Sequence, residues 1–136
     1  MNWKRYVITS LAVYVALQIL DFIIHGGILS GIYEQTASLW REDMEKFMWL
    51  MYLVNFVFSF ILVYIFTKGY EGRGIMEGVR FGFWVGLLLT IPQAFGSYAI
   101  WPIPFQLAIW WFVLGTIQLI IVGIVAAAVY RPAEAS

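Results

Sequence analysis

Long apolar runs with few polar interruptions dominate the chain. A helix of about 20 apolar residues crosses the hydrocarbon core of a bilayer, which is about 30 Å thick. Four runs reach this length, at residues 6–33, 47–67, 75–100 and 105–130. No residue from Phe81 to Tyr130 is charged, so this stretch is long enough for two crossings. The pattern predicts an all-α polytopic membrane protein, a single domain over residues 1–136 built as a four-transmembrane-helix bundle.

Two features define the ends of these helices. Pro102 and Pro104 each lack the backbone donor that a helix needs, which predicts a tight turn between the third and fourth helices. Lys4 and Arg5 precede an apolar run, as in a signal peptide, but Asp21 interrupts that run and no small-residue cleavage site follows. The first helix is therefore interpreted as retained.

Basic residues predict the orientation of the bundle. The termini and the connection between the second and third helices hold Lys4, Arg5, Lys68, Arg73, Arg80 and Arg131. The longer connection over residues 34–46 holds only Arg41 and Lys46, and the last connection holds none. Because lysine and arginine are enriched in cytoplasmic loops, we expect cytoplasmic termini, an outer loop at 34–46, and a multi-pass protein of the cell (inner) membrane.

Composition excludes several classes of function. Eight Lys and Arg residues balance eight Asp and Glu residues, so no basic excess is available for nucleic acid, and we expect no nucleic-acid partner. The chain has no cysteine and one histidine, which excludes thiolate sites and a histidine cluster within one chain. We therefore expect no metal and no cofactor, and the lipid bilayer is the first expected partner.

The first helix carries a polar stripe. Its members are Ser10, Tyr14, Gln18, Asp21 and His25. At about 100° per residue, they fall within an arc of about 80° on one face. An ionised aspartate near the bilayer centre costs on the order of 3 kcal/mol even on the mildest insertion scale, so the stripe must face protein or water. Asp21 and His25 are one turn apart, and together they are placed to hold or relay one proton.

Three interpretations of the stripe stay open. It can lie in the bundle core, where Asp21 and His25 satisfy each other or a backbone carbonyl and add packing specificity. It can form a site that handles protons or binds a ligand, because ionisable residues within a membrane are functional candidates. It can also be buried against another subunit.

Partners for the stripe are expected among the few amides of the other helices. Asn55 and Gln93 share the depth of its outer half and are the preferred partners of Asp21 and His25, and Gln118, near the middle of the fourth helix, could reach the level of Asp21 or Gln18. Pro92 frees a backbone carbonyl, which together with Gln93 predicts a small polar pocket closed by Trp101. A single amide in a membrane helix often does no more than bond across one helix pair. The predicted site for a ligand or proton consists of Asp21, His25, Gln18, Tyr14, Asn55, Gln93, Gln118 and Trp101.

Glycine recurs every fourth residue along the third helix. The predicted helix-packing positions are Gly74, Gly78, Gly82 and Gly86. Small residues at this spacing let two helices approach closely, which is how helices associate where lipid is as apolar as the partner. The neighbour could be a helix of the same chain, another copy in a homo-oligomer, or a subunit of a larger membrane complex.

Several segments together resemble a known group of proteins. They are a Gly-rich end of the first helix at residues 24–27, Tyr33 and Trp40-Arg41 in the first loop, and the Gly-stepped third helix. On these features the chain resembles small bacterial four-helix integral membrane proteins of unknown function. This resemblance implies no activity, and it assigns no role to any residue.

Two hypotheses of function follow. In the first, the protein binds or transports a small hydrophobic or weakly polar molecule, with proton linkage through Asp21 and His25. In the second, it is an accessory or structural subunit of a larger membrane protein complex, docked through its glycine face. An enzyme with Asp21 and His25 as acid and base ranks below both, because no nucleophile, metal set or phosphate-binding motif accompanies them.

Overall fold

The computed structural model describes residues 2–131, and every regular element within them is helical. The α-helices are α1 (Trp3–Ile23), α2 (Ser30–Gln35), α3 (Met48–Lys68), α4 (Ile75–Thr90), α5 (Gly96–Ile100) and α6 (Phe105–Val129). Two π-helical segments lie at Ile24–Ile28 and Ile91–Phe95, and short 3-10 helices lie at Ala37–Leu39 and Met44–Phe47. The domain predicted over 1–136 extends beyond the described residues at both ends.

Four continuous helical stretches within residues 2–131 are long and apolar enough to cross a membrane. They are span 1 (Trp3–Ile28), span 2 (Met44–Lys68), span 3 (Ile75–Ile100) and span 4 (Phe105–Val129). The prediction of an all-α chain with four such helices is confirmed. The first helix is shorter than predicted, because the chain turns at Leu29 and resumes as α2.

Each π segment has a local cause in the sequence. Gly26 and Gly27 weaken the α-helix at the end of span 1, and there the amide of Leu29 bonds to the carbonyl of Ile24, five residues back, at 2.8 Å. In span 3, Pro92 has no amide hydrogen to donate and occupies the second position of the π segment. Both spans therefore widen near the same end of the bundle.

The spans pack in the order 2, 1, 4, 3. Span 1 lies between spans 2 and 4, and span 3 packs mainly against span 4. We call the end that holds Trp3, Val129 and the 69–74 connection the terminal end, and the opposite end the loop end. At the terminal end all four spans meet around Phe66, whose ring centroid lies 5.2 Å from that of Phe81 and 6.3 Å from that of Tyr130.

The loop end has a second, smaller core. Residues 29–40, which include α2, lie against the start of span 4. Leu29 of this segment and Leu107 and Ala108 of span 4 are buried in the contact. The aromatic rings of Tyr33, Trp40 and Trp111 continue this contact. Part of the connection predicted as an outer loop at 34–46 is therefore packed on the bundle.

The close contact between spans 3 and 4 depends on glycine. Gly78, Gly82 and Gly86 are buried, and a Cβ atom at Gly82 would overlap the backbone carbonyl of Leu119. A helix of the same chain therefore covers the glycine face. Gly74 was wrongly included in the strip, because it precedes α4, has open space around it and adopts a φ of 83°. Its glycine is required by that left-handed backbone.

Replacing Gly82 by alanine tests this contact. We expect Gly82→Ala to lower the free energy of unfolding by about 1–3 kcal/mol, because the added methyl group forces spans 3 and 4 apart. The matched control is Gly96→Ala, since a Cβ at Gly96 meets nothing within 4 Å. Unfolding in detergent measures both variants. Equal stability of Gly82→Ala and the wild type would contradict the contact.

Candidate functional site

Asp21 joins three spans through its carboxylate. The side-chain amide of Asn55 on span 2 donates to Asp21 Oδ2 at 2.7 Å, and that of Gln118 on span 4 donates to Oδ1 at 2.7 Å. The Asn55 nitrogen also donates to Gln18 Oε1, at 2.5 Å. We call Gln18, Asp21, Asn55 and Gln118 the Asp21 cluster. Its four side chains were all predicted from the sequence, and the structure brings them together.

His25 is bonded to Tyr33 and not to Asp21. Its Nδ1 lies 2.6 Å from the Tyr33 hydroxyl, and the two rings stack with centroids 5.9 Å apart. No hydrogen bond joins His25 to Asp21 within residues 2–131. The sequence placed them one turn apart, but the amides of spans 2 and 4 occupy the carboxylate, and α2 brings Tyr33 back over the imidazole.

The indole of Trp111 favours one direction for the His25–Tyr33 bond. The indole Nε1 donates to the Tyr33 hydroxyl at 2.8 Å. An indole can only donate, so the hydroxyl oxygen accepts this bond and its own hydrogen is available for His25 Nδ1. This order satisfies all three groups when the imidazole is neutral and carries its proton on Nε2.

The Tyr33 hydroxyl keeps its proton at neutral pH. Tyr33 lies beyond the end of span 1, and burial raises the pKa of its hydroxyl above the ordinary value of 10.0. The hydrogen bond from Trp111 opposes part of that shift. Tyr33 therefore acts as a neutral bridge that accepts from Trp111 and donates to His25.

A cavity of about 280 Å³ lies beside these groups, between spans 1, 3 and 4 and α2. Its polar and aromatic lining consists of His25, Tyr33, Thr90, Gln93, Trp111 and Gln118. The remaining lining is Gly115 and aliphatic side chains, including Leu89 and Leu114. Both π segments border the cavity, and π segments within α-helices are frequent at functional sites.

The other predicted residues have different positions. Gln93 was wrongly preferred as a partner of Asp21 and His25: it lines the cavity, and no described residue forms a hydrogen bond with its side chain. Trp101 was wrongly predicted to close the pocket: it is 52% exposed at the turn between spans 3 and 4 and does not line the cavity. Tyr14 packs edge-on against Phe56, with ring centroids 5.4 Å apart, and it also lies outside the cavity.

Two residues of the site were missed. Trp111 precedes Gln118 by seven residues, which is about two helical turns, so both lie on one face of span 4, and this spacing could have revealed it. Tyr33 has no such signal, because its place depends on the turn of the chain at Leu29. Among residues 2–131 there is no group of three or more side chains suited to a metal ion.

Comparison with known proteins gives no relative for this chain. No protein-family model, no curated protein and no solved structure matches it. The site therefore has to be interpreted from its own geometry.

Removing the Tyr33 hydroxyl tests the bridge. We expect Tyr33→Phe to lower the free energy of unfolding by about 1–3 kcal/mol, because Trp111 Nε1 and His25 Nδ1 both lose their partner. The control is Tyr98→Phe, whose ring is 45% exposed and whose hydroxyl bonds to no described residue; it should change stability by less than about 0.5 kcal/mol. Denaturant unfolding in detergent compares them, and equal effects of the two variants would refute the bridge.

Proposed function

We propose that this chain is a multi-pass protein of the cell (inner) membrane that binds or transports a small hydrophobic or weakly polar molecule. Four apolar spans support membrane insertion. The concentration of lysine and arginine at the terminal end supports cytoplasmic termini, with the loop end facing outward. The cavity then lies in the outer half of the bundle.

The observation that carries this proposal is the cavity beside the Asp21 cluster. Its volume of about 280 Å³ is just below the range that is common for small-molecule sites, which is about 300–1,000 Å³, so it suits a very small ligand. Its lining combines an apolar wall with a few converging polar groups, and such walls bury a ligand while the polar groups orient it. A pure packing role for the polar stripe would need no such space.

Proton linkage is proposed through the bridge of Tyr33. A proton added to His25 makes Nδ1 a donor, so the Tyr33 hydroxyl loses the acceptor for its own hydrogen. Tyr33 lines the cavity and belongs to the segment that covers the loop end. Protonation of His25 and occupancy of the cavity are therefore coupled through one side chain.

The second candidate is an accessory subunit of a larger membrane complex, or an assembly of several copies. It is favoured by the start of α3, where every side chain from Met48 to Val54 is at least 40% exposed. The glycine face no longer supports it, because span 4 of the same chain covers that face.

Extraction from the membrane fraction in a mild detergent separates the two candidates. We expect wild-type protein to retain a small molecule, detected by mass spectrometry, and Leu114→Trp to lose it because the larger side chain fills the cavity. The matched control is Ile117→Trp. Ile117 lies one turn after Leu114 on span 4, its side chain is 47% exposed, and it does not line the cavity. This control should retain the molecule.

The opposite result would support the second candidate, the subunit of a larger complex. A stoichiometric protein partner that all three forms retain, with no small molecule in any of them, would replace the binding function by that of a complex subunit. Circular dichroism and gel filtration establish that both tryptophan variants are folded before they are compared.

A further inference from the structure

The hydrogen bonds around Asp21 fit an ionised carboxylate. Each of its two oxygens accepts an amide N–H, one from Asn55 and one from Gln118. A protonated carboxyl group would also need an acceptor for its O–H hydrogen, and Asp21 donates to no described residue. This arrangement of donors is the one that an ionised carboxylate accepts, so the cluster is suited to a negative charge within the bundle.

No cationic side chain of the described residues pairs with that charge. The two ion pairs within residues 2–131 are Arg41 with Asp43 and Arg73 with Glu71, both exposed and away from the cluster. His25 is the one titratable group near enough on span 1 to interact with the charge, and its bonding order with Tyr33 and Trp111 fits the neutral imidazole. Spans 2, 3 and 4 contribute no charged residue to the cluster or the cavity lining.

Gln118 connects this charge to the cavity. Its amide nitrogen donates to Asp21, and its side chain also lines the cavity. The Gln118 carbonyl oxygen and the Gln93 amide have no hydrogen-bond partner among the described residues, so acceptors remain available at the cavity. A bond to an ionised acceptor polarises the whole amide, which makes the Gln118 carbonyl a better acceptor for a positive donor.

We infer that the ligand of this cavity is a small organic ammonium ion with an apolar body. Its N–H group donates to the Gln118 carbonyl, with the charge of Asp21 behind it, and the aromatic rings of Trp111 and Tyr33 line the same cavity. The aliphatic wall of Leu89 and Leu114 takes the apolar body. This inference rests on the proposed binding function, and it replaces the weakly polar ligand of that proposal by a charged one with an apolar body.

Other ligands fit the site less well. A bare metal ion would leave most of the cavity empty and find no set of carboxylate or imidazole ligands among residues 2–131. An anion would be repelled by Asp21 and would have to leave water without a cationic partner. A neutral molecule fits the cavity but leaves the charge of Asp21 uncompensated.

Three probes of nearly equal shape test the charge. They are benzylamine, which is an ammonium ion at neutral pH, benzyl alcohol, which is neutral, and benzoate, which is an anion. Equilibrium dialysis against the full chain in lipid nanodiscs, corrected with empty nanodiscs, measures each affinity. We expect benzylamine to bind at least tenfold more tightly than benzyl alcohol, and benzoate to bind most weakly.

Two matched variants locate the charge. Asp21→Asn should weaken benzylamine at least tenfold more than it weakens benzyl alcohol. Asp43→Asn removes the same charge from the 34–46 connection, and it should leave both affinities unchanged. Should Asp21→Asn fail to fold, the ranking of the three probes on wild-type protein decides the question by itself.

The possible results separate a failure of the ammonium ligand class from a failure of the proposed binding function. Equal binding of benzylamine and benzyl alcohol, with both lost in Leu114→Trp, would overturn the ammonium class and leave a ligand-binding cavity. Absence of saturable binding for all three probes would overturn both the inference and the assignment of the cavity. Tight benzylamine binding that Asp21→Asn does not change would also overturn the role of Asp21.

Discussion

The bundle is organised by one constraint, which is that a carboxylate on an apolar helix needs hydrogen-bond donors. A carboxylate is costly to bury on an apolar surface without donors, and the faces of spans 2 and 4 that carry Asn55 and Gln118 turn toward Asp21 on span 1. These bonds determine the rotation of three spans about their axes. Span 3 lies outside this set of bonds and is held by its glycine contact with span 4.

The cavity is a consequence of two opposite tendencies in the same bundle. Glycine draws spans 3 and 4 into backbone contact over the terminal half, and the aromatic cluster around Phe66 closes that end. Toward the loop end, the Gly26-Gly27 pair interrupts the α-helix of span 1 and Pro92 interrupts that of span 3. Spans 1 and 3 both widen there into π segments. The space between them is then covered by α2, which supplies Tyr33.

Much of this arrangement can be predicted from the chain alone, because hydropathy and helical periodicity are local properties. The four spans, the polar stripe and the partner Asn55 follow from spacing on a helix, whereas depth alone did not separate Gln118, which bonds to Asp21, from Gln93, which does not. The bond between His25 and Tyr33 could not be predicted, since it depends on where the chain turns after Ile28. Trp101 was misplaced for a related reason: a residue at a turn has no helix face to fix its direction.

Infrared difference spectroscopy reports the charge of Asp21 itself, on which the binding of a cation depends. Spectra of wild-type protein and Asp21→Asn, recorded in lipid nanodiscs at neutral pH, isolate the vibrations of this one side chain. The account predicts a carboxylate band that the variant lacks, with no difference in the region of protonated carboxyl groups. A protonated carboxyl band present in the wild type and missing in Asp21→Asn would contradict it, because the site would then hold no negative charge for a cation to meet.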